Sequence, residues 1–315
     1  MLTAEMTDAL RCPVCAAPLS LTPTALHCPN HHSFDRNKHG YVTLATGRRL
    51  PEGDTPTMVA ARTAFLATAH YRPLATALSQ LADHERTDVL DGVSPPRDRD
   101  DQGKTRQAGE ERAAGEARTN GEALAAGEAP AAGREPLVVD LGAGTGYYLA
   151  AVLDAWPGAR GLAFDVSKAA LRRAAKAHPR AGAVLADTWG TLPLADGSVD
   201  LLLNVFAPRN GAQMHRVLAQ DGLLAVVTPT ERHLAELREQ LGLMSVDPAK
   251  AERLAHELRD FTPVAEQLLE WPLDLTPAEA DDLIAMGPNA FHDRARATAP
   301  VTCTASVSIG TYRPR

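Results

Sequence analysis

The chain has 315 residues with a formal net charge of -7, 44% hydrophobic and 23% charged. That is enough for more than one domain and ordinary for a globular protein, and the acidic total excludes wholesale coating of nucleic acid while leaving room for a local basic patch. Four cysteines, three of them within the first 28 residues, exclude a disulfide framework and fit a reducing cytoplasm; with no apolar leader core and no run of 18 apolar residues, we expect neither a signal peptide nor a membrane span.

Cys12, Cys15, Cys28 and His32 stand in C-x2-C-x12-C-x3-H spacing. Two close pairs separated by a dozen residues suit tetrahedral Zn²⁺, each pair gripping one edge of the tetrahedron from one tight turn. His31 offers C-x2-H as the alternative to His32. With all four positions filled by side chains the site is structural, not catalytic. The stretch from His31 to Tyr41 then mixes Arg36 and Lys38 with Phe34 and Tyr41, and Arg48 and Arg49 follow. The cations suit phosphate contact. The two aromatics either stack on bases or pack on the zinc knuckle. We read 1–50 as a metal-stapled module, too short to bury a core of its own.

Residues 57–83 carry helical apolar spacing through Met58, Ala61, Phe65, Leu66, Leu74, Leu78 and Leu81, with Pro73 kinking or dividing the segment. This is a helical connector over 51–92. Over 93–135, Leu124 is the one large apolar side chain beyond Val93, and Gly, Ala, Glu and Arg recur. Such a stretch buries too little to offset its ordering entropy, so we read a disordered linker.

From 136 to 315 strands and helices alternate, implying an α/β doubly wound parallel sheet. Strands are expected at 137–144, 159–167, 182–189, 199–208 and 223–230, and helices at 147–157, 168–179 and 211–222. Two helical stretches and a terminal strand pair follow. Asp140, Gly142, Gly144 and Gly146 form an acidic G-x-G-x-G turn between the first strand and its helix. A dinucleotide fingerprint would need glycine at 147, where this chain has Tyr147. The pattern is that of class I S-adenosylmethionine (SAM) methyltransferases. Asp165, ending the second strand, is placed for the ribose hydroxyls, and Asp187 ends the third, where such methyltransferases bind the adenine edge; taken singly, each acid reads equally as a helix cap or turn residue. Asn204 through Pro208 ends the fourth strand, where the reacting group lies. Phe206 there either stacks on a base or fills the core.

Taken together, CPVC, CPNHHSFDRNKHGYV, ARTAFLATAHYRPL, VVDLGAGTGYY and NVFAP resemble the 23S rRNA (guanine-N1)-methyltransferases, most of all the macrolide-resistance type. The resemblance covers nearly the whole chain except the linker. It implies zinc on Cys12, Cys15, Cys28 and His32, and SAM as methyl donor. It implies a guanine in a domain II hairpin loop of 23S rRNA as substrate, resistance to macrolides such as tylosin, and the capacity to form a homodimer. The linker is unusually long for that pattern. Asn204 is the expected catalytic residue; it and Asp187 are the candidates to take the guanine N1 proton, and Phe291-His292 to close over the site. The rival readings are a small-molecule SAM methyltransferase with a structural zinc knuckle, and a non-enzymatic zinc and RNA binding module.

Overall fold

The computed structural model describes residues 2–45, 50–91, 134–242, 250–287 and 297–315. Arg48, Arg49, Phe291, His292 and the linker up to 133 lie outside them.

The chain opens with helix α1 (Ala4–Asp8), capped by the Thr3 hydroxyl. A three-stranded antiparallel ribbon follows, β1 (Ser20–Leu21), β2 (Ala25–His27) and β3 (Ser33–Asp35), and then β4 (Tyr41–Thr43). The connector forms α2 (Pro56–Ala67) and α3 (Arg72–Asp91). The division falls just before Pro73, with Ala69 in the left-handed region at φ 64°. Proline belongs in a first helical turn, where its missing N–H is not needed.

The main sheet has eight strands in the order β10-β11-β9-β8-β5-β6-β7-β4. Its parallel centre is β5 (Leu137–Leu141), β6 (Arg160–Asp165), β7 (Ala181–Leu185), β8 (Val199–Val205) and β9 (Leu218–Pro229). Every residue of β5 and β7 is buried, as strands covered on both faces must be. Helices α4 (Tyr147–Ala155), α5 (Lys168–Ala174) and α6 (Gly211–Val217) connect them. The helix expected over 211–222 stops at Val217, because Leu218 turns extended at ψ 137° and pairs with Val199. After α7 (Ala235–Leu241) and α8 (Lys250–Glu257), β10 (Phe261–Leu275) and β11 (Val301–Pro314) run antiparallel to each other, and β11 antiparallel to β9, so the sheet is mixed, not wholly parallel. Between them lies α9 (Pro277–Ala285), closed by a Thr276–Glu279 capping box.

The ribbon does not stand apart from this sheet. β4 pairs in parallel with β7, Tyr41 opposite Ala183 and Thr43 opposite Leu185. Leu2, Met6, Leu10 and Leu26 share one buried cluster with Val139, Leu162 and Val184.

Candidate metal centre and cofactor cleft

Two tight turns carry the four metal-type ligands. In the first, the Ala16 amide donates to Cys12 O at 2.8 Å and the Cys12 amide to Ala17 O at 2.8 Å. In the second, the Cys28 amide donates to His32 O at 3.0 Å, with His31 left-handed at φ 64°. That turn leaves His31 exposed and brings His32 inward. His32 Nδ1 lies 3.6, 3.5 and 3.3 Å from the sulfurs of Cys12, Cys15 and Cys28, and the Cys15 and Cys28 sulfurs are 3.7 Å apart. A zinc tetrahedron with ordinary bond lengths has S–S edges of about 3.8 Å and S–N edges of about 3.6 Å. The donor set therefore fits Zn²⁺ and closes all four positions. The Ala17 amide and then Asn30, whose Nδ2 reaches the Cys15 sulfur at 3.3 Å, pull the Cys15 thiol down to about 6, toward the thiolate a metal needs.

Beyond this centre, the turn between β3 and β4 carries Arg36 and Lys38. Partial burial, then Arg172 of α5, Lys38 and Lys176, hold His39 below its ordinary value. Positive charge from the β3–β4 turn and from α5 and the residues after it thus meets around His39. Phe34 packs against the cluster that holds Cys12, Cys28 and Leu26, whereas Tyr41 is buried in β4 in a second cluster with Phe65 and Tyr71, so Phe34 supports the knuckle and Tyr41 the main core.

The six cofactor-type residues lie along the carboxyl ends of β5, β6 and β7. The turn after β5 folds sharply, with Gly142 at φ 76° and Gly144 at φ 55°. A Cβ on Gly142 would stand 2.5 Å from that of Ala207, so only glycine fits. Gly146, also left-handed, leads into α4. Asp140 is 1% exposed, and neither carboxylate oxygen has a partner among the described residues. Burial, and then Asp165, push its pKa up to about 8. An orphaned buried carboxyl is costly, and a cationic ligand group beside the turn would satisfy it. Asp165 ties the turn to β6, accepting from the Gly144 amide at 2.8 Å and the Ser167 amide at 2.7 Å. Asp187 accepts from the Trp189 amide at 3.0 Å. It lines a cleft of about 410 Å³ whose other wall includes Pro13, Leu44 and Leu50. This edge fits a nucleoside bearing an amino-acid tail.

At the end of β8, Asn204 is wholly buried, donates from Nδ2 to Pro208 O at 2.9 Å, and leaves Oδ1 without a partner among the described residues. The turn it closes forces Phe206 into the left-handed region at φ 54° and leaves the ring 39% exposed. The ring lies 5.9 Å from His233 and 6.4 Å, edge-on, from Tyr71. Trp271 backs Tyr71 at 5.4 Å and donates its indole N–H to His70 O at 2.8 Å. Sequence reasoning missed His233 and Trp271. Neither sits in a motif, and each reaches Tyr71 only through tertiary packing.

A glycine turn with acids at successive strand ends, joined to a zinc ribbon, defines a class I SAM-dependent methyltransferase with an N-terminal zinc module. Residues 10–45 match the family described as "RlmA, N-terminal", and residues 138–222 match a methyltransferase domain. A provisionally named 23S rRNA (guanine-N1)-methyltransferase of Micromonospora griseorubida is 49% identical, with 97% of each chain covered. The 23S rRNA (guanine(748)-N1)-methyltransferase of Streptomyces fradiae is 41% identical over 90% of this chain and 86% of its own. The chain belongs to the 23S rRNA (guanine-N1)-methyltransferase family.

Proposed function

We propose that the protein transfers the methyl group of SAM to N1 of a guanine in a domain II hairpin loop of 23S rRNA, and so confers resistance to tylosin-type macrolides. The observation that carries this reading is one chain holding a closed Cys3His centre, a group of cations around His39 and an acid-edged glycine turn, at 49% identity to a relative so named. Such a substrate places the protein in the cytoplasm. Among the described residues no helix is long and apolar enough to cross a membrane.

In this reading 1–50 reads RNA, 51–92 connects, and 136–315 performs the transfer, with the expected linker over 93–135 between. Cys12, Cys15, Cys28 and His32 hold Zn²⁺. Asp140, Gly142, Gly144, Gly146, Asp165 and Asp187 hold SAM: Asp140 faces the ammonium, Asp165 the ribose and Asp187 the adenine edge. Bound SAM supplies a methyl group already activated on a sulfonium, so the protein's task is alignment. The half-exposed Phe206 ring, walled by His233 and Tyr71, stacks on the target guanine turned out of its loop. Asn204 was expected to act on that base directly. Its complete burial supports a positioning role instead: it closes the turn that aims Phe206. With SAM bound, the N1–methyl bond would form as the carbon–sulfonium bond breaks, leaving S-adenosylhomocysteine, and the N1 proton would pass to water at the open edge of the site. A pair of chains acting together belongs to the same reading, and light scattering on the purified protein checks it.

The test incubates the purified protein, labelled SAM and 23S rRNA, then maps the product by primer extension. A methyl on N1 blocks the pairing edge, so reverse transcriptase should stop beside one domain II guanine. Label entering small metabolites and not RNA would overturn the reading.

A further inference from the structure

Arg62 lies on α2, in the connector, yet it leans over the glycine turn. A Cβ built on Gly144 would stand 3.5 Å from Arg62 Cδ, 3.7 Å from Nε and 3.9 Å from Cζ. Two fixed acceptors hold Nη2: Asp54 Oδ2 at 2.8 Å and Met286 O at 2.8 Å. The segment carrying Asp54 is pinned in turn, since the Ser167 hydroxyl donates to Asp54 O at 2.6 Å. Arg62 is thus oriented in advance by three separate parts of the chain. Its Nε is nevertheless buried with no partner among the described residues. A guanidinium has five donors, and leaving one buried and unpaired is tolerated where a ligand supplies the acceptor.

The order of groups along the edge says which part of the ligand that is. With the adenine edge at Asp187 and the ribose at Asp165, the amino-acid end falls at the Gly142–Gly144 turn. That end carries one ammonium and one carboxylate. The orphaned Asp140 carboxyl complements the first, and the unpaired Arg62 donor complements the second. We propose that Arg62 binds the α-carboxylate of SAM, which makes helix α2 of the connector a wall of the cofactor site. This rests on the SAM reading above.

The test is calorimetric titration of the intact protein with SAM and with decarboxylated SAM, which differ in that carboxylate alone. The unaltered protein should prefer SAM by about tenfold or more, the effect of one charge-assisted pair. Arg62→Ala should bind the two alike, with affinity for decarboxylated SAM kept within about twofold. Arg62→Gln, which retains a donor toward Asp54 and Met286 O, should lose the preference too and covers a folding failure of the alanine variant. A preference that survives either substitution overturns the proposal. So does an equal loss of both compounds, which would make Arg62 a structural clip. An unaltered protein that binds both compounds equally sinks the carboxylate site alone; one that binds neither sinks the SAM reading and this inference with it.

Discussion

The Tyr71 hydroxyl and His233 Nε2 lie 3.2 Å apart, and the far side of the same imidazole, Nδ1, accepts the Ser306 amide at 3.1 Å. An accepting Nδ1 leaves the proton of the neutral ring on Nε2, which therefore donates to Tyr71. The ring is locked at both nitrogens, and its face is presented to Phe206. A locked, neutral ring suits holding a base in plane better than removing a proton.

Phe206→Ala and His233→Ala should therefore lower methylation of the rRNA hairpin. Loss of one base–aromatic contact corresponds to about 10- to 100-fold in kcat/KM. SAM affinity, measured by calorimetry, should not change, because both rings lie on the acceptor side. Equal weakening of SAM and RNA binding would show that the aromatic wall only props up the fold.

The shared core makes the metal a matter of global stability. Removing Zn²⁺ with a strong chelator, or replacing Cys28 with serine, unties both tight turns and with them β4 at the sheet edge. The thermal midpoint should drop by about 5 °C or more. Were the ribbon energetically independent, the main transition seen by calorimetry would stay where it is.

Asp140 gives a pH signature. Its ordinary value is 3.8, and burial, with Asp165, raises it to about 8 in the folded protein. Between those values the folded carboxyl keeps its proton while the unfolded one is ionised. Stability therefore falls as pH rises from about 4 to about 8 and levels off above. Asp140→Asn abolishes that slope. In urea unfolding the two proteins should be nearly matched near pH 4, with the variant increasingly the more stable toward pH 8, although its SAM affinity is reduced. Parallel stability curves across this range would contradict the buried, unpartnered carboxyl.

The cations around His39 predict a salt effect. A single-stranded phosphate contact contributes about 0.7 to the slope of log K against log salt. Replacing Lys38, Arg172 and Lys176 together with alanine should flatten the slope for the domain II hairpin by about 2, read by fluorescence anisotropy between low and moderate salt. An unaltered slope would move the RNA interface to another face.

What could be read from the sequence was local. The zinc ligands declare themselves because each pair spans one turn, and the structure brings together the four residues that C-x2-C-x12-C-x3-H picks out, with His32 and not His31 turned inward. The glycine turn and the acids at the ends of β5, β6 and β7 are likewise set by neighbours a few residues away. Helix α9, between the two expected terminal strands, carries a readable signal in Thr276-x-x-Glu279. Other features had no local signal. The terminal strand pair is legible, but apolar alternation does not encode a strand's direction or its outer neighbour, so the antiparallel seating of β11 on β9 and the pairing of β4 with β7 follow only from the folded sheet. Tyr71, His233 and Phe206 come from three distant segments, and Arg62 reaches Gly144 across more than eighty residues of chain. Short-range spacing fixed what metal and what cofactor this protein takes. Long-range packing decided which side chains surround them, because contacts between distant segments exist only once the core has brought those segments together.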